Sequence, residues 1–328
     1  MRQPDLLHCP VVVTFTANPA LDMQMVFDMP RLGELNRAQR VRYEASGKGL
    51  NVARALTYLE HPAVAVAPLG GAFGDMIAEA VMGSGVNLRA ITAAPTRCNV
   101  KVIDLDGTLS EFNTAGETLD VVTWQACQDT IAHALTDTPP SDAHRPQQRY
   151  LVLSGSLPPG VDTDAYAALT QTWQAQGVRV VVDASGDALR AAYDARPWLL
   201  KPNQDELATL GYPVTTLEQA RAAAMTLQAS GVANVIVTLG AQGAVFALEQ
   251  GCITIPALPV AVTSPVAAGD TLLAAFLAVQ LEASLVASQD LLPVCHWVMA
   301  AASARVRDGQ YPDRDTIDQL LTASGIEP

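Results

Sequence analysis

The sequence predicts an α/β protein with a mainly parallel sheet covered by helices on both faces. Short β-branched runs alternate with helical patterns along most of the 328 residues. These runs are continuously apolar, as in strands that are buried on both sides. Polar or glycine-rich segments follow six of the predicted strands or open the helices beside them. Because ligands bind at the carboxyl ends of parallel strands, these segments mark one candidate site.

Each predicted element has a local signal. Strands are indicated by Val-, Ile- and Leu-rich runs between turn residues, at 11–15, 63–68, 150–153, 178–183, 198–201 and 234–238. Helical spacing covers 50–59, 74–82, 123–135, 163–176 and 217–230, and an apolar helix follows Asp270. Asp106-Gly107 separates two strand-like segments, 99–105 and 110–113, which predicts a hairpin. Residues 136–148, rich in Pro, Asp and Ser, predict a loop.

Composition excludes several classes of protein. With 49% hydrophobic and 16% charged residues, the chain is too apolar to be disordered. No apolar run approaches the roughly 20 residues of a membrane span, and the N-terminus lacks a signal-peptide pattern. The five cysteines are odd in number and show no CxxC spacing, so neither a disulfide framework nor a zinc site is predicted. A cytoplasmic location is therefore expected.

The charge balance argues against polyanionic partners. Twenty Lys and Arg against 33 Asp and Glu give a formal charge of −13. Such a chain repels nucleic acid and anionic membrane surfaces, so neither is predicted as a partner. An anionic substrate would require the site to gather several of the few cations in one place.

The strongest motif is the run of small residues that ends at Asp270. Ser264-Pro-Val-Ala-Ala-Gly-Asp270 leads directly into an apolar helix. Backbone N–H groups at a helix N-terminus form a site for an anion such as phosphate, and small side chains let the anion approach them. Asp270 could then take a proton from a hydroxyl that attacks this phosphate. The alternative is that Asp270 only caps the helix.

A second motif, Ser46-Gly-Lys-Gly-Leu-Asn51, presents Lys48 and Asn51 near the start of a helix. It lacks the Walker A spacing. A simple helix-initiating turn is the alternative, but a lysine at a helix start is electrostatically unfavourable and favours a binding role.

The predicted hairpin offers a third cluster. Strand alternation places Arg97, Asn99 and Lys101 on one face, where three donors could hold a phosphate or sugar hydroxyls. The alternative is the solvated outer face of an edge hairpin.

Three further segments follow predicted strands. In Lys201-Pro-Asn-Gln-Asp-Glu206, Asn203 and Glu206 would share a helix face and could hold a hydrated Mg²⁺, although Pro followed by acids is also an ordinary helix opening. Thr238-Leu-Gly-Ala-Gln-Gly243 would let a nucleotide approach the backbone or form a hairpin turn. Ser156, in a rigid Pro- and Gly-rich turn, could contact a sugar hydroxyl.

Taken together and in order, these segments resemble the ribokinase-like sugar kinases, in particular the PfkB-type phosphofructokinase branch. The similar segments are ANPALD (17–22), GELNRA (33–38), SGKGLNVARAL (46–56), TRCNVKV (96–102), SEFNTAG (110–116), SGSLPPG (154–160), VDASGDAL (182–189), KPNQDEL (201–207), TLGAQGA (238–244) and SPVAAGDTLLAAFLA (264–278). The likeness spans about residues 11–280, and its motifs are specific in combination.

The resemblance implies one kinase domain over 1–328, with a three-layer α/β/α fold and a small β-sheet lid. Lid segments would be about 21–45 and 96–115, often shared in a homodimer. It also implies ATP- and Mg²⁺-dependent phosphoryl transfer to a sugar hydroxyl, with Asp270 as base and Ala267–Gly269 as anion hole. The remaining implied roles are sugar binding by Asp22, Gly47, Asn51, Asn99 and Ser156, phosphate binding by Arg37, Lys48, Arg97 and Lys101, and ATP or Mg²⁺ binding by Lys201, Asn203, Glu206, Thr238, Gly240 and Gly243.

The predicted site gathers several of the few cations of an acidic chain, which suits an anionic substrate. Together with the resemblance, this favours a phosphosugar. The combination of GKG, TRxNVK and EFN is similar to fructose-1-phosphate kinases, which convert fructose 1-phosphate to fructose 1,6-bisphosphate. Fructose 6-phosphate, tagatose 6-phosphate and a non-catalytic sugar-phosphate-binding regulator are the alternatives, and Glu111 stands where the 6-phosphate branch tends to carry Arg. Ser46, Ala184 and Ala267 depart from the family pattern, and Ala267 would cost stability if its φ angle is positive.

Overall fold

A nine-stranded sheet forms the centre of the computed structural model, which describes residues 11–136, 148–282 and 290–327. Its strands are β1 (Val11–Thr16), β4 (Val64–Leu69), β5 (Asn87–Thr92), β8 (Arg149–Gly155), β9 (Arg179–Ala184), β10 (Leu199–Leu200), β11 (Asn234–Thr238), β12 (Ala244–Leu248) and β13 (Gly251–Ile255). The order across the sheet is β13-β12-β11-β10-β9-β8-β1-β4-β5. Every neighbouring pair from β5 to β11 is parallel, and only β12 and β13 at one edge pair antiparallel. The predicted fold class is confirmed.

Helices cover both faces of this sheet. They are α1 (Lys48–Tyr58), α2 (Gly71–Gly83), α3 (Val121–Thr136), α4 (Ala165–Gln174), α5 (Gly186–Asp194), α6 (Gln204–Thr209), α7 (Leu217–Ala229), α8 (Ala268–Leu281), α9 (Leu291–Asp308) and α10 (Arg314–Ala323). Buried residues of α1, α2 and α8–α10 form one hydrophobic core, and those of α3–α7 form the other. The result is a three-layer α/β/α arrangement.

The strands are continuously apolar because successive side chains enter different cores. Val181 belongs to the core under α1 and α8, whereas its neighbours Val180 and Val182 belong to the opposite one. The same alternation holds in β11, where Ile236 and Val235 point to opposite layers. All five side chains are fully buried. A strand that is covered on both sides therefore lacks the apolar–polar alternation of a strand with one solvated face.

A second sheet of four strands stands apart from the central one. Its strands are β2 (Ala20–Val26), β3 (Arg40–Ser46), β6 (Arg97–Ile103) and β7 (Leu109–Phe112), in the order β3-β2-β6-β7. The β6–β7 hairpin was predicted from Asp106-Gly107, and Ile103 pairs with Leu109 around it. This sheet is the lid that the resemblance implies, and β2 and β3 fall in its segment at about 21–45, although no strand bounds were predicted there. Strands β5, β12 and β13 were not predicted. In β3 and β7 most side chains are exposed, so these strands lack the apolar signal of the buried ones.

Other local differences are small. The ANPALD segment (17–22) leads into β2 at Ala20. The predicted loop at 136–148 falls, apart from its end residues, outside the described residues; Thr136 itself ends α3. No helix within the described ranges is long and apolar enough to cross a membrane.

Candidate active site

A cavity of about 530 Å³ lies along the carboxyl edge of the central sheet. This volume suits a small organic ligand. The ends of β10 and β11 contribute Lys201 and Thr238, and the N-terminus of α8 contributes Ala267 to Asp270. Thus the cavity brings together the sequence-predicted residues Lys48, Lys201, Asn203, Thr238, Gly240, Gly243, Ala267, Ala268, Gly269 and Asp270.

Asp270 lies inside the first turn of α8 rather than at its cap. Ala267 is the N-cap residue, and the helix has no side-chain cap. The Asp270 carboxylate instead accepts a hydrogen bond from Asn51 Nδ2 at 2.8 Å. Capping as the role of Asp270 is therefore wrong, and its carboxylate lines the cavity while remaining 7% exposed.

Burial raises the pKa of Asp270 to about 6, and the nearby Asp183 carboxylate adds to this rise. Lys48, the Asn51 hydrogen bond and Lys201 act in the opposite direction. A carboxylate with a pKa near the working pH can both accept and release a proton, as a general base requires.

The turn before α8 holds a strained residue. Ala267 has φ 61° and ψ 16°, in the left-handed region that favours glycine. This conformation turns the backbone into the helix and leaves the first N–H groups of α8 beside the cavity. At Gly269 an added Cβ would stand in ordinary contact, 3.4 Å from Lys201 Nζ, which places the Lys201 ammonium group beside the first turn of α8.

Lys48 is the centre of an ion-pair cluster. Its Nζ lies 2.8 Å from Asp183 Oδ1 and 2.8 Å from Glu206 Oε1, while Lys201 Nζ lies 3.0 Å from Asp183 Oδ2. Burial opposes the charged forms of Lys48 and Asp183, but the opposite charges outweigh it. The pKa of Lys48 accordingly lies above, and that of Asp183 below, its ordinary value.

Asp183 was not among the predicted site residues, although it is fully buried at the end of β9. Its position at the end of the predicted strand 178–183 and in VDASGDAL (182–189) was the available signal. That signal gave no indication of the partners, because Lys48 lies 135 residues away in the chain.

Asn203 and Glu206, the predicted Mg²⁺ ligands, open α6 with a capping box. Asn203 Oδ1 accepts from the Glu206 N–H at 2.8 Å, and Glu206 Oε2 accepts from the Asn203 N–H at 2.9 Å. The ordinary helix opening is thus present. The other Glu206 oxygen contacts Lys48. Asn203 and Glu206 are therefore better suited to bind a cation through its water shell than to coordinate it directly.

A second, smaller cavity of about 220 Å³ adjoins the first at Lys48, which lines both. The smaller cavity contains four other predicted residues, Gly47, Arg97, Ser156 and Glu206. Gly47 has φ 146°, and an added Cβ would stand 2.8 Å from the Thr16 side chain, so glycine is required there. Asn18, which was not predicted individually, donates to Ser156 Oγ at 3.3 Å.

The polar face of the β6–β7 hairpin turns inward. Asn99 Nδ2 donates to Asp22 Oδ1 at 3.0 Å, and Lys101 Nζ lies 2.7 Å from Asp22 Oδ2. All three residues are buried, which makes the solvated-face alternative wrong. Arg97 joins the same face through Asn99 Oδ1 at 3.1 Å.

Not every predicted phosphate-binding residue reaches these cavities. Arg37 is exposed in the segment between β2 and β3 and lines neither of them. Lys101 is occupied by Asp22 and lies 3.7 Å from Glu111 Oε1. Arg97 therefore supplies the guanidinium of the smaller cavity.

Comparisons with known proteins identify the family of this chain. Residues 20–310 match the pfkB family of carbohydrate kinases. D-tagatose-1-phosphate kinase of Klebsiella oxytoca is 32% identical over 269 residues, which cover 81% of this chain and 84% of that protein. The 1-phosphofructokinase of Vibrio cholerae is 32% identical over 265 residues, with 80% of each protein covered.

Solved structures show the same likeness. Phosphofructokinase-2 of Escherichia coli, crystallised with substrates and products, superposes with a TM-score of 0.83 at 30% identity and covers 96% of this chain and 99% of its own. Arabidopsis thaliana ribokinase, complexed with ribose and ATP, has a TM-score of 0.72 at 25% identity, with 95% of this chain and 99% of its own covered.

Proposed function

This chain belongs to the pfkB family of carbohydrate kinases, and we propose that it transfers the γ-phosphoryl group of ATP to a ketohexose 1-phosphate. Fructose 1-phosphate is the substrate that we favour, with fructose 1,6-bisphosphate as the product. ATP would occupy the larger cavity and the phosphosugar the smaller one. The single observation that carries the proposal is the buried Asp270 carboxylate, which lines the larger cavity in the first turn of α8, beside the N-terminal amides of that helix.

The reaction follows from this geometry. Asp270 takes the proton of the attacking sugar hydroxyl while the oxygen attacks the γ-phosphorus. The N–H groups of Ala268 and Gly269 stabilise the negative charge on the transferring phosphoryl group. Lys48 lines both cavities, so its ammonium group can accompany the phosphoryl group from donor to acceptor.

Mg²⁺ belongs to the proposed reaction as a partner of ATP. When bound, it neutralises the charge of the β- and γ-phosphates. We assign its water shell to Asn203 and Glu206, whose oxygens are already engaged by the α6 N-terminus and Lys48. Lys201, Thr238, Gly240 and Gly243 would line the path of the nucleotide.

Substrate choice rests on the charges of the lid face. Arg97 reaches the smaller cavity, whereas the Glu111 carboxylate is close to Lys101 and adds negative charge at the hairpin edge. A phosphate near Arg97 is favoured, and one near Glu111 is repelled. The named relatives that act on 1-phosphates of fructose and tagatose support a C1 phosphate.

A coupled ADP-release assay tests the proposal directly. We expect fructose 1-phosphate to give the highest kcat/KM in a panel with tagatose 1-phosphate, tagatose 6-phosphate, fructose 6-phosphate and free fructose. Preference for a 6-phosphate would contradict the substrate assignment. No turnover with any member, together with measurable sugar-phosphate binding, would favour the non-catalytic regulator.

A homodimer through the small sheet forms part of the proposal. Val41 and Tyr43 of β3 are 44% and 49% exposed, and Phe112 of β7 is 53% exposed. Covering these side chains removes apolar surface from water. Light scattering on the wild type and on Tyr43→Arg would distinguish a dimer that dissociates from a monomer that is unaffected by the change. A cytosolic location, where ATP is available, completes this proposal.

A further inference from the structure

Tyr311 lies between α9 and α10, one residue beyond the segment that matches the family. We propose that Tyr311 is a positioning residue for the candidate base Asp270 and acts through the side-chain amide of Asn51. The Tyr311 hydroxyl donates to Asn51 Oδ1 at 3.0 Å, and Asn51 Nδ2 donates to Asp270 Oδ2 at 2.8 Å. The proposal rests on the function proposed above.

The donor and the acceptor of each hydrogen bond follow from which groups carry a proton. An ionised carboxylate can only accept, so it needs the NH₂ end of the Asn51 amide. The oxygen of that amide then faces Tyr311 and needs a donor. Burial raises the pKa of Tyr311, which means that its hydroxyl keeps its proton and can donate. Tyr311 thereby selects the amide orientation that an ionised Asp270 requires.

The Tyr311 ring is held independently of its hydroxyl. The guanidinium carbons of Arg54 and Arg305 lie 4.8 Å and 4.9 Å from the ring centroid. The Tyr58 ring is 5.8 Å away, and Glu44 contacts Arg305 at 3.4 Å. Because these contacts need only the ring, a phenylalanine retains them.

Loss of the Tyr311 hydroxyl has a defined chemical consequence. Without a donor on its oxygen side, the Asn51 amide is free to rotate and to lose its bond to Asp270. That bond lowers the Asp270 pKa, as do Lys48 and Lys201, whereas burial and Asp183 raise it. Arg54, Arg305 and Glu44, the charged groups facing Tyr311, are unchanged by the substitution.

The test is the pH profile of kcat across about pH 5–9 for the wild type, Tyr311→Phe and Tyr193→Phe. The control residue is Tyr193, which lies on α5 and lines neither cavity. Its hydroxyl donates to Ser230 Oγ at 2.9 Å. We expect Tyr311→Phe to lower kcat about two- to tenfold, the effect of one hydrogen bond. The acid limb of the Tyr311→Phe pH profile should move to higher pH by about half a unit. Tyr193→Phe should leave both quantities unchanged, and substrate ionisation is common to all three proteins.

A double-mutant cycle with Asn51→Ala separates positioning from stability. Asn51→Ala should move the acid limb upward by itself, and Tyr311→Phe should add nothing in that background. The proposal is overturned if Tyr311→Phe leaves kcat and the acid limb as in the wild type, or if its effect persists without Asn51. It is also overturned if Asn51→Ala leaves the acid limb in place, a result that does not depend on whether Tyr311→Phe folds. A wild type without turnover would instead contradict the proposed kinase function.

Discussion

Lys48 Nζ lies 2.8 Å from Asp183 Oδ1, although the two residues are 135 positions apart in the sequence. Asp183 is fully buried, and Lys201 contacts its other oxygen at 3.0 Å. Removal of either lysine would leave a buried carboxylate with too little positive charge beside it. This pair joins the start of α1 to the end of β9, and its lysine lines both cavities.

We predict that Lys48→Met lowers the free energy of unfolding by about 1–3 kcal/mol, because Asp183 loses one of its two cations. The estimate is reduced for the partial exposure of the Lys48 side chain. Urea denaturation measures the change. As a matched control, Asp183→Asn in the Lys48→Met background should restore part of the loss by removing the buried charge. If Lys48→Met alone is as stable as the wild type, the Lys48–Asp183 ion pair is not needed for stability.

Asp270→Asn should lower kcat by about 100- to 10,000-fold, as expected for removal of a general base. It should also make the folded protein more stable at pH 8. The wild-type carboxyl has a folded pKa of about 6, against about 3.9 when unfolded. Ionisation of Asp270 therefore opposes folding. This destabilisation grows as the pH rises from the unfolded pKa to the folded pKa, and it reaches its full value above the folded pKa.

Thermal and denaturant unfolding of Asp270→Asn at two pH values measure this effect. The variant should gain about 1–3 kcal/mol over the wild type at pH 8 and little at pH 4. An equal difference at both pH values would mean that Asp270 ionisation does not oppose folding. Retained turnover would mean that another group accepts the proton.

Ala267→Gly should stabilise the protein by about 0.5–1 kcal/mol. The left-handed φ of 61° costs alanine more than glycine, although glycine gives back part of this gain through the entropy of the unfolded chain. Differential scanning calorimetry measures the result. Ala222→Gly, at an exposed position inside α7, is the control and should destabilise by up to about 1 kcal/mol. A loss of stability in both variants would contradict strain at Ala267.

Asp22→Asn should raise the KM for the phosphosugar about tenfold and leave the KM for ATP unchanged. Asp22 holds Lys101 and Asn99 on the lid face and does not line the larger cavity. Loss of its charge weakens a charge-assisted contact. Initial rates with each substrate varied in turn provide the measurement. Asp104→Asn, in the exposed β6–β7 turn, should change neither KM, and an equal rise in both KM values for Asp22→Asn would contradict a role confined to the sugar side.

Much of the fold could be predicted because its signals are local. Apolar period and turn residues identified most strands and helices of the parallel layer, though not β5 and α5. Strand-end motifs identified Lys201, Asn203 and Thr238 at one edge. The bounds of β3 could not be predicted, since most of its side chains are exposed and follow no burial pattern. Its edges are defined by pairing with β2, which a local window does not contain.

The candidate base was found from sequence, but its surroundings were not. The small residues before Asp270 predicted an anion site at a helix start, and capping remained an alternative. Only the three-dimensional structure placed Asn51 beside Asp270 and left the cap to Ala267. Tyr311 lay in a stretch with no motif, so nothing in its own neighbourhood indicated a link to Asn51.

The amino-acid sequence alone determined the class of fold, the sheet edge that carries the site and the residue types gathered there, because period, turn chemistry and helix starts are properties of neighbouring residues. The tertiary structure determined which charged side chains form ion pairs with one another. Lys48, Lys101 and Lys201 all have carboxylate partners, whereas Arg37 remains exposed outside both cavities. Electrostatic pairing depends on distances of a few ångströms between distant segments, and the chain acquires those distances only by folding.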